Sequence, residues 1–494
     1  MLKKSAGLAV VLSLLLAVSA TGQDSLYTFS VQTLGGYTTP GVVPFWLRSN
    51  QFGSIPLDGA SLSFIGAARK DYDLSGDKLF DWGASFEGRA NLGHGSNLML
   101  IEGYGKVRLG IFELRAGRSK KMAGLCDTVL TSGSWAISGT NMGVPEIELS
   151  VSEFWTLPIL WEFFAFKGNF SHGWMGAAIM NQYWESDTVS LASYFHQKSL
   201  YGRLGKPSNK LKLYGGFSHQ VIWSDGRDYY SDDFTLNLPQ NYLYVISGKK
   251  FSGGNIQEER LGNHSGSIDL AVEYSFRKIK VLLYRQNFYD AGALAHFANI
   301  QDGLTGVSLE NIQKSNDQVF WKKFLLEVLY TKNQAGEPWS PPTPTLSENY
   351  FNHGQYFNGW SYQGKSLGTP FITVRSDARE GLPSHPRDYF INNRLFAIHC
   401  GGEGSIRNLG FILKASWSRN YGTYRTTDEE QSTGIPDPGA YGLFGEQDQF
   451  SFYFELDKQL ENGFHLGIIG VGDYGDLLYN SLGLFLKVSH SFSW

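Results

Sequence analysis

Short runs in which apolar and polar side chains alternate recur along most of this chain and constrain its fold more than any other feature. Ala84, Phe86, Gly88 and Ala90 form one set, and Ser85, Glu87, Arg89 and Asn91 the other. An extended chain points successive side chains to opposite faces, so each such run is a strand with one apolar face and one polar face. The pattern returns as Phe112, Leu114 and Ala116 against Glu113 and Arg115, and as Leu211, Leu213, Gly215, Phe217, Val221 and Trp223 against Lys212, Tyr214, Ser218 and Gln220. Phe324 to Tyr330, Phe411 to Trp417, Phe450 to Leu456 and Leu482 to Trp494 repeat it. The chain is therefore all-β. Alternation alone fits two architectures. In a sandwich the polar face meets water; in a membrane barrel it lines the lumen while the apolar face meets lipid.

Three features favour the barrel. Lys3 and Lys4 precede an apolar run from Ala9 to Val18, followed by the small residues Ser19 and Ala20. Residues 1–22 read as a signal peptide, because the run is shorter than the ~20 residues of a spanning helix. Residues 23–494 then form a single exported domain. Aromatic rings fall near the ends of the apolar faces, as girdles do, at Trp223, Tyr330, Trp417 and Trp494. The last strand is placed to close against the first. Mean hydropathy is only −0.22, but a barrel hides its apolar surface in the alternation.

Candidate strands number between about 14 and 20, and an even total is expected. Arg277-Lys278 and Glu461-Asn462-Gly463 read as tight turns. The long loops are Ser224 to Gln240, Glu337 to Ser347, Asn349 to Gly368, and Tyr421 to Asp448. Asp290 to Asn311 reads as non-alternating and is expected to form a short helical plug inside or beneath the barrel. The net charge of −4, without a basic stripe, leaves no case for nucleic acid. Cys126 and Cys400 are too few for a disulfide scaffold; one bridge and two free thiols both remain open.

Motifs for chemistry fail on context. Gly359 to Ser366 fits the phosphate-loop pattern G-x-x-x-x-G-K-[ST], but Leu367-Gly368-Thr369-Pro370 follows it, where a helix is required. The G-x-S-x-G match from Gly364 to Gly368 needs an α/β sheet that nothing here suggests. His172 and His219 have no paired nucleophile, and no histidine shows metal-ligand spacing. The acidic loop Ser224 to Asp233 is not an EF-hand pattern. The expectation is a protein with no cofactor, no metal and no enzymatic activity. What remains is a set of loops rich in aromatics, amides and acids. Sugars stack their C–H faces on rings and need polar partners for their hydroxyls. The candidate carbohydrate-binding residues are Trp339, Tyr350, Tyr356, Trp360, Tyr362, Tyr421, Tyr424 and Tyr441, with Asn352, Asn358 and Arg425 nearby. The competing reading is that these rings order the loops.

Several blocks also resemble a known family. They are PFWLRSNQFGSIPLDGASLS (Pro44 to Ser63), SYFHQKSLYGRLGKPSNKLKLYGGFSHQVIW (Ser193 to Trp223), LLYRQNFYDAGALAHFANIQDGLTGVSL (Leu282 to Leu309), KKFLLEVLYTKNQ (Lys322 to Gln334) and ENYFNHGQYFNGWSYQGKSLGTPF (Glu348 to Phe371). The chain resembles the Wzi-type capsule assembly family, in the branch with the FWLRSNQ opening. The resemblance implies a barrel of about eighteen strands in a Gram-negative outer membrane. It also implies a lectin that binds capsular polysaccharide or exopolysaccharide and helps capsule assembly or retention beside the polysaccharide export machinery. It assigns no binding residue. The alternative is a porin or polysaccharide passage, since Arg89, Arg115, Lys212, Lys323, Glu327 and Lys414 could line a pore as well as seal one.

Overall fold

The computed structural model describes residues 26–73, 78–181, 188–230, 233–313, 318–344, 346–432, 439–461 and 463–493. The expected signal peptide and Trp494 lie outside the described residues. An 18-stranded sheet runs through the described chain. Its strands are β1 (Tyr27–Thr38), β2 (Ala60–Lys70), β3 (Phe80–Leu92), β4 (Asn97–Leu109), β5 (Phe112–Arg118), β6 (Glu146–Thr156), β7 (Phe164–Asn181), β8 (Thr188–Leu204) and β9 (Leu211–Trp223), followed by β10 (Asn263–Ser275), β11 (Ile279–Tyr289), β12 (Gly303–Asn311), β13 (Val319–Tyr330), β14 (Leu395–Ile406), β15 (Leu409–Asn420), β16 (Gln447–Gln459), β17 (Phe464–Gly475) and β18 (Ser481–Ser493). Each is antiparallel to the next, and β18 pairs with β1 from Thr28↔Ser493 to Thr38↔Gly483. The sheet is a closed barrel with no free edge.

Inside and outside are reversed relative to a water-soluble protein. On β3, Trp82 and Phe86 are exposed on the outer wall, while Ser85, Arg89 and Asn91 are buried inside. On β18, Leu482, Leu484, Leu486 and Val488 face out, and Phe485 is buried within. This is the lipid-facing band of an outer-membrane barrel. The aromatic girdle is real at Trp417, Phe450 and Tyr474, cross-strand neighbours on the outer wall. Trp223 departs from the expectation. It is buried on the outer wall, because the loop after β9 folds down over it.

Connections sort by length between the two ends. One end carries turns such as 110–111, 276–278 and 407–408, and the other carries 39–59, 119–145, 224–262, 290–302, 331–394 and 421–446. Outer-membrane barrels keep short turns in the periplasm and long loops outside. The expected helical plug at Asp290 to Asn311 is corrected. A 3₁₀ turn spans Ala293–His296 and then β12 begins at Gly303. The alternation there is masked because Leu304, on the inner face, is apolar and buried against the other loops. The plug is instead made of irregular chain. It includes the short helix α1 (Phe45–Arg48) and loops 119–145 and 331–394. Small residues let it seat against the wall. A Cβ on Gly401 of β14 would lie 2.8 Å from Leu130 Cβ of loop 119–145, so the plug packs where the wall has no side chain.

Candidate functional site

The plug fills the long-loop half of the lumen with a core of its own. Trp135 stacks on Phe288 of β11 at 4.0 Å and meets Tyr350 and Phe351 at 4.8 and 4.7 Å. Trp360 donates its Nε1–H to the Ala136 carbonyl at 2.8 Å, joining the two large loops. Trp46 of α1 lies 5.0 Å from His399 on β14, with the Lys414 ammonium 5.2 Å from its ring. The same cluster takes in the inward side chains Leu34 of β1, Phe195 of β8, Tyr284 of β11, Leu325 of β13, Tyr453 of β16 and Val471 of β17. Around β2 and β3, Arg89 donates to the Ser54 carbonyl at 2.8 Å and to Ser63 at 2.8 Å. The plug is thus tied to the wall on all sides.

Buried carboxylates act as its anchors. Glu327 of β13 accepts from Thr131 Oγ1 at 2.7 Å, from the Ser132 N–H at 2.5 Å and from the Tyr284 hydroxyl. Asp302 accepts the Asn333 and Gln334 N–H groups at 3.0 and 2.7 Å and the Tyr350 hydroxyl at 2.8 Å. Glu348 accepts the N–H groups of Ala291, Gly292 and Ala293 at 3.1, 2.9 and 2.9 Å. Burial outweighs those hydrogen bonds at Asp302 and pushes its pKa up to about 7. Burial raises Asp377 as well, but the Arg48 and Lys365 charges outweigh it and hold that carboxyl below its usual range.

Below the plug the lumen is ionic. Lys212 meets Glu273 at 2.7 Å and Lys280 meets Glu310 at 2.6 Å, while at the underside of the plug Lys323 meets Asp127 of loop 119–145 at 2.6 Å. The charges that the sequence places on the inner face, Arg89, Arg115, Lys212, Lys323, Glu327 and Lys414, do face the lumen. A polar cavity of about 280 Å³ remains beside the plug, lined by Arg115, Lys120, Lys121, Glu148, Lys167 and Asn169 among others.

The sequence candidates separate into two groups. Tyr350, Tyr356, Trp360, Tyr362 and Tyr424 are buried in and around the plug. Tyr424 donates its hydroxyl to the Asn333 carbonyl at 2.7 Å and lies 3.9 Å beneath the Arg394 guanidinium. Enclosed in this way, these five rings have no face to offer a polymer, and they order the loops. Trp339 is 54% exposed, Tyr441 is 37% exposed, and Tyr421 is half-buried with the Lys332 ammonium 4.5 Å from its ring. Tyr441 belongs to the best-formed outer cluster. Its ring lies 4.5 Å from His385. Arg425 donates to Asp388 at 2.9 Å and contacts His385 Nδ1 at 3.2 Å. Arg375 donates to the His385 and Asp388 carbonyls at 2.7 Å each. Burial, then the Arg425 charge, hold the His385 pKa below its usual value. The result is a neutral aromatic pair flanked by guanidinium groups.

The motif matches resolve as turns. Ser361–Tyr362 and Lys365–Ser366 form a two-stranded hairpin whose corner holds Gln363 and Gly364 at φ 48° and 80°. Lys365 is paired with Asp377 at 2.9 Å. No phosphate-cradling helix start follows. The cysteines are not bridged: Cys126 is in the plug loop and Cys400 faces outward. Among the described residues no group of three or more His, Cys, Asp or Glu is placed to hold a metal ion; Ser231 and Asp232 of the acidic loop lie outside them. Loop 119–145 escaped the sequence reading as a plug segment. Its signal was the uncharged, small-residue stretch from Thr128 to Pro145, unlike a solvated loop.

No protein-family model and no curated protein matches the chain. Among solved structures it is similar to OccK5 (OpdH) of Pseudomonas aeruginosa, with a TM-score of 0.46, 11% identity, and 95% of this chain and 98% of that one covered. It is similar to the outer membrane protein opdK of the same organism, with a TM-score of 0.43, 12% identity, and 95% and 100% covered. OccAB4 of Acinetobacter baumannii matches with a TM-score of 0.43, 9% identity, and 95% and 99% covered.

Proposed function

We propose that this outer-membrane barrel binds polysaccharide at the cell surface through its long-loop end and helps assemble or retain a capsule. The observation that carries the reading is the apolar plug core, which reaches the wall around the barrel and occupies the side where the long loops lie. A barrel sealed on that side is suited to holding a polymer outside rather than passing it through. Tyr441 and His385 supply a ring platform, and Arg375 and Arg425 supply donors for hydroxyls or acidic groups. Such contacts are weak singly and gain from repetition along a polymer. This is the role that the resemblance to the Wzi-type capsule assembly family implies, and it makes the polysaccharide export machinery the natural neighbour.

The test is titration of the purified barrel with surface polysaccharide from its own cell, against an unrelated polysaccharide of similar charge. The expected result is saturable, selective binding that weakens several-fold in Tyr441→Ala and Arg425→Gln. Equal binding to both polymers rejects the reading. A second reading, a passage for small solutes, is favoured by the ionic lower lumen and its polar cavity of about 280 Å³. Stable single-channel conductance of the intact protein in a planar bilayer would put that reading first.

A further inference from the structure

On the outer wall of β8 to β11 the apolar band stops at one level. Leu200, Phe217 and Ile268 are exposed cross-strand neighbours. The next outward tier is Lys198, His219, Gly266 and Tyr289, joined by the same register. Charged and imidazole groups are costly in hydrocarbon, so this tier marks the headgroup level. The loop after β9 lies against it. The helix α2 (Leu238–Ser247) places Tyr242 5.3 Å from Trp223 and 5.4 Å from His172, and Lys198 donates to its Ile246 carbonyl. Leu243 of α2 is 59% exposed, directed away from the wall. An amphipathic helix with an outward leucine at this height fits a membrane interface.

Beside α2 lies a cavity of about 360 Å³, with His219, His264, Tyr289 and Ile268 on the barrel side and Leu294 and Arg260 among its other walls. Arg260 bridges it, donating Nε–H to the Gly248 carbonyl at 3.2 Å and Nη1–H to the Ala291 carbonyl at 2.5 Å. Its Nη2 makes no hydrogen bond among the described residues. One acid, Asp290, lines the cavity. Burial and the neighbouring Glu348 charge raise its pKa, and among the described residues Arg260 forms no ion pair, its hydrogen bonds going to the Gly248 and Ala291 carbonyls. The floor continues through Ile268 into the lipid-facing band at Leu270.

We propose that this groove seats the phosphorylated headgroup of an outer-leaflet lipid, with a phosphate on Arg260 and an acyl chain along Ile268 and Leu270. A guanidinium matches phosphate geometry and charge, and the apolar floor selects an amphiphile over a soluble anion. The site is independent of the polysaccharide reading, since it is on the wall and not on the loop tops.

The test is titration of the detergent-solubilised barrel with fluorescent lipid A, against lipid A stripped of its phosphates. Saturable binding of the phosphorylated lipid alone is expected. Arg260→Gln and the exposed Ala295→Glu should each weaken it about tenfold, the scale of one charge-assisted hydrogen bond. Lys250→Gln, whose side chain is already paired with Glu258 at 3.1 Å, should leave it unchanged. Heat-modifiable gel migration checks that each variant is folded. Equal binding of the two lipids, or unchanged binding in both groove variants, overturns the proposal. So does displacement by millimolar inorganic phosphate, which would make the site one for a soluble anion.

Discussion

In the long-loop half of the lumen, Trp135 is enclosed by Phe288, Tyr350 and Phe351. In the short-turn half, Lys212 meets Glu273 across neighbouring strands. Both are inward-facing contacts of the same cylinder, yet they are held by different forces. The upper half excludes water and gains from apolar burial. Its few carboxylates cost desolvation and are retained only where several donors meet each one. The lower half is lined by ion pairs beside a polar cavity, and the more exposed of them, such as Lys280 with Glu310, are worth little each. Stability and closure should therefore reside in the plug, and the lower lumen should tolerate change.

The largest test of that contrast is Trp135→Ala. Removing a fully buried indole from a stacked site should cost about 3–5 kcal/mol of plug stability. The readout is protease cleavage within 119–145 or 331–394 while the barrel keeps its heat-modifiable migration. Unchanged protection would mean that the plug does not depend on its core. The second test uses pH. With the folded pKa of Asp302 raised to about 7 against an ordinary value of ~3.9, the folded state holds a proton that the unfolded state releases. This group's contribution is therefore fully present below about pH 4 and is lost as pH rises through 7, a change of about 2–4 kcal/mol. Asp302→Asn should flatten the loss of protease resistance between pH 5 and 8, and an unaltered pH profile would contradict the sign. The smallest effect belongs to the other half. Lys280→Met, which removes the partly exposed pair with Glu310, should shift stability by under about 1 kcal/mol, read as chemical denaturation midpoint. A large loss there would erase the distinction between the halves.

Legibility in the sequence follows the same division. The wall was readable because lipid on one side and polar lumen on the other impose a period of two, so β3, β5, β15 and β18 announce themselves. β12 was missed where plug contact made an inward residue, Leu304, apolar. The candidate site was readable only as a composition of loop aromatics. Tyr350 and Tyr441 look alike in the chain, yet one is buried with its hydroxyl on Asp302 and the other is exposed beside His385. No local pattern separates them, because their fates depend on loops that meet across the lumen.

By itself, then, the sequence determined an all-β chain with one apolar and one polar face per strand, since the two solvents of a membrane wall act on every residue locally. Tertiary structure decided that the long-loop half of the lumen is filled by α1 and two loops, that five of eight candidate rings are enclosed, and that α2 lies outside the wall over Trp223. Those outcomes rest on contacts such as Trp360 with Ala136, which are 224 residues apart in the chain. Pairing at that separation is fixed by packing, not by any neighbour in sequence.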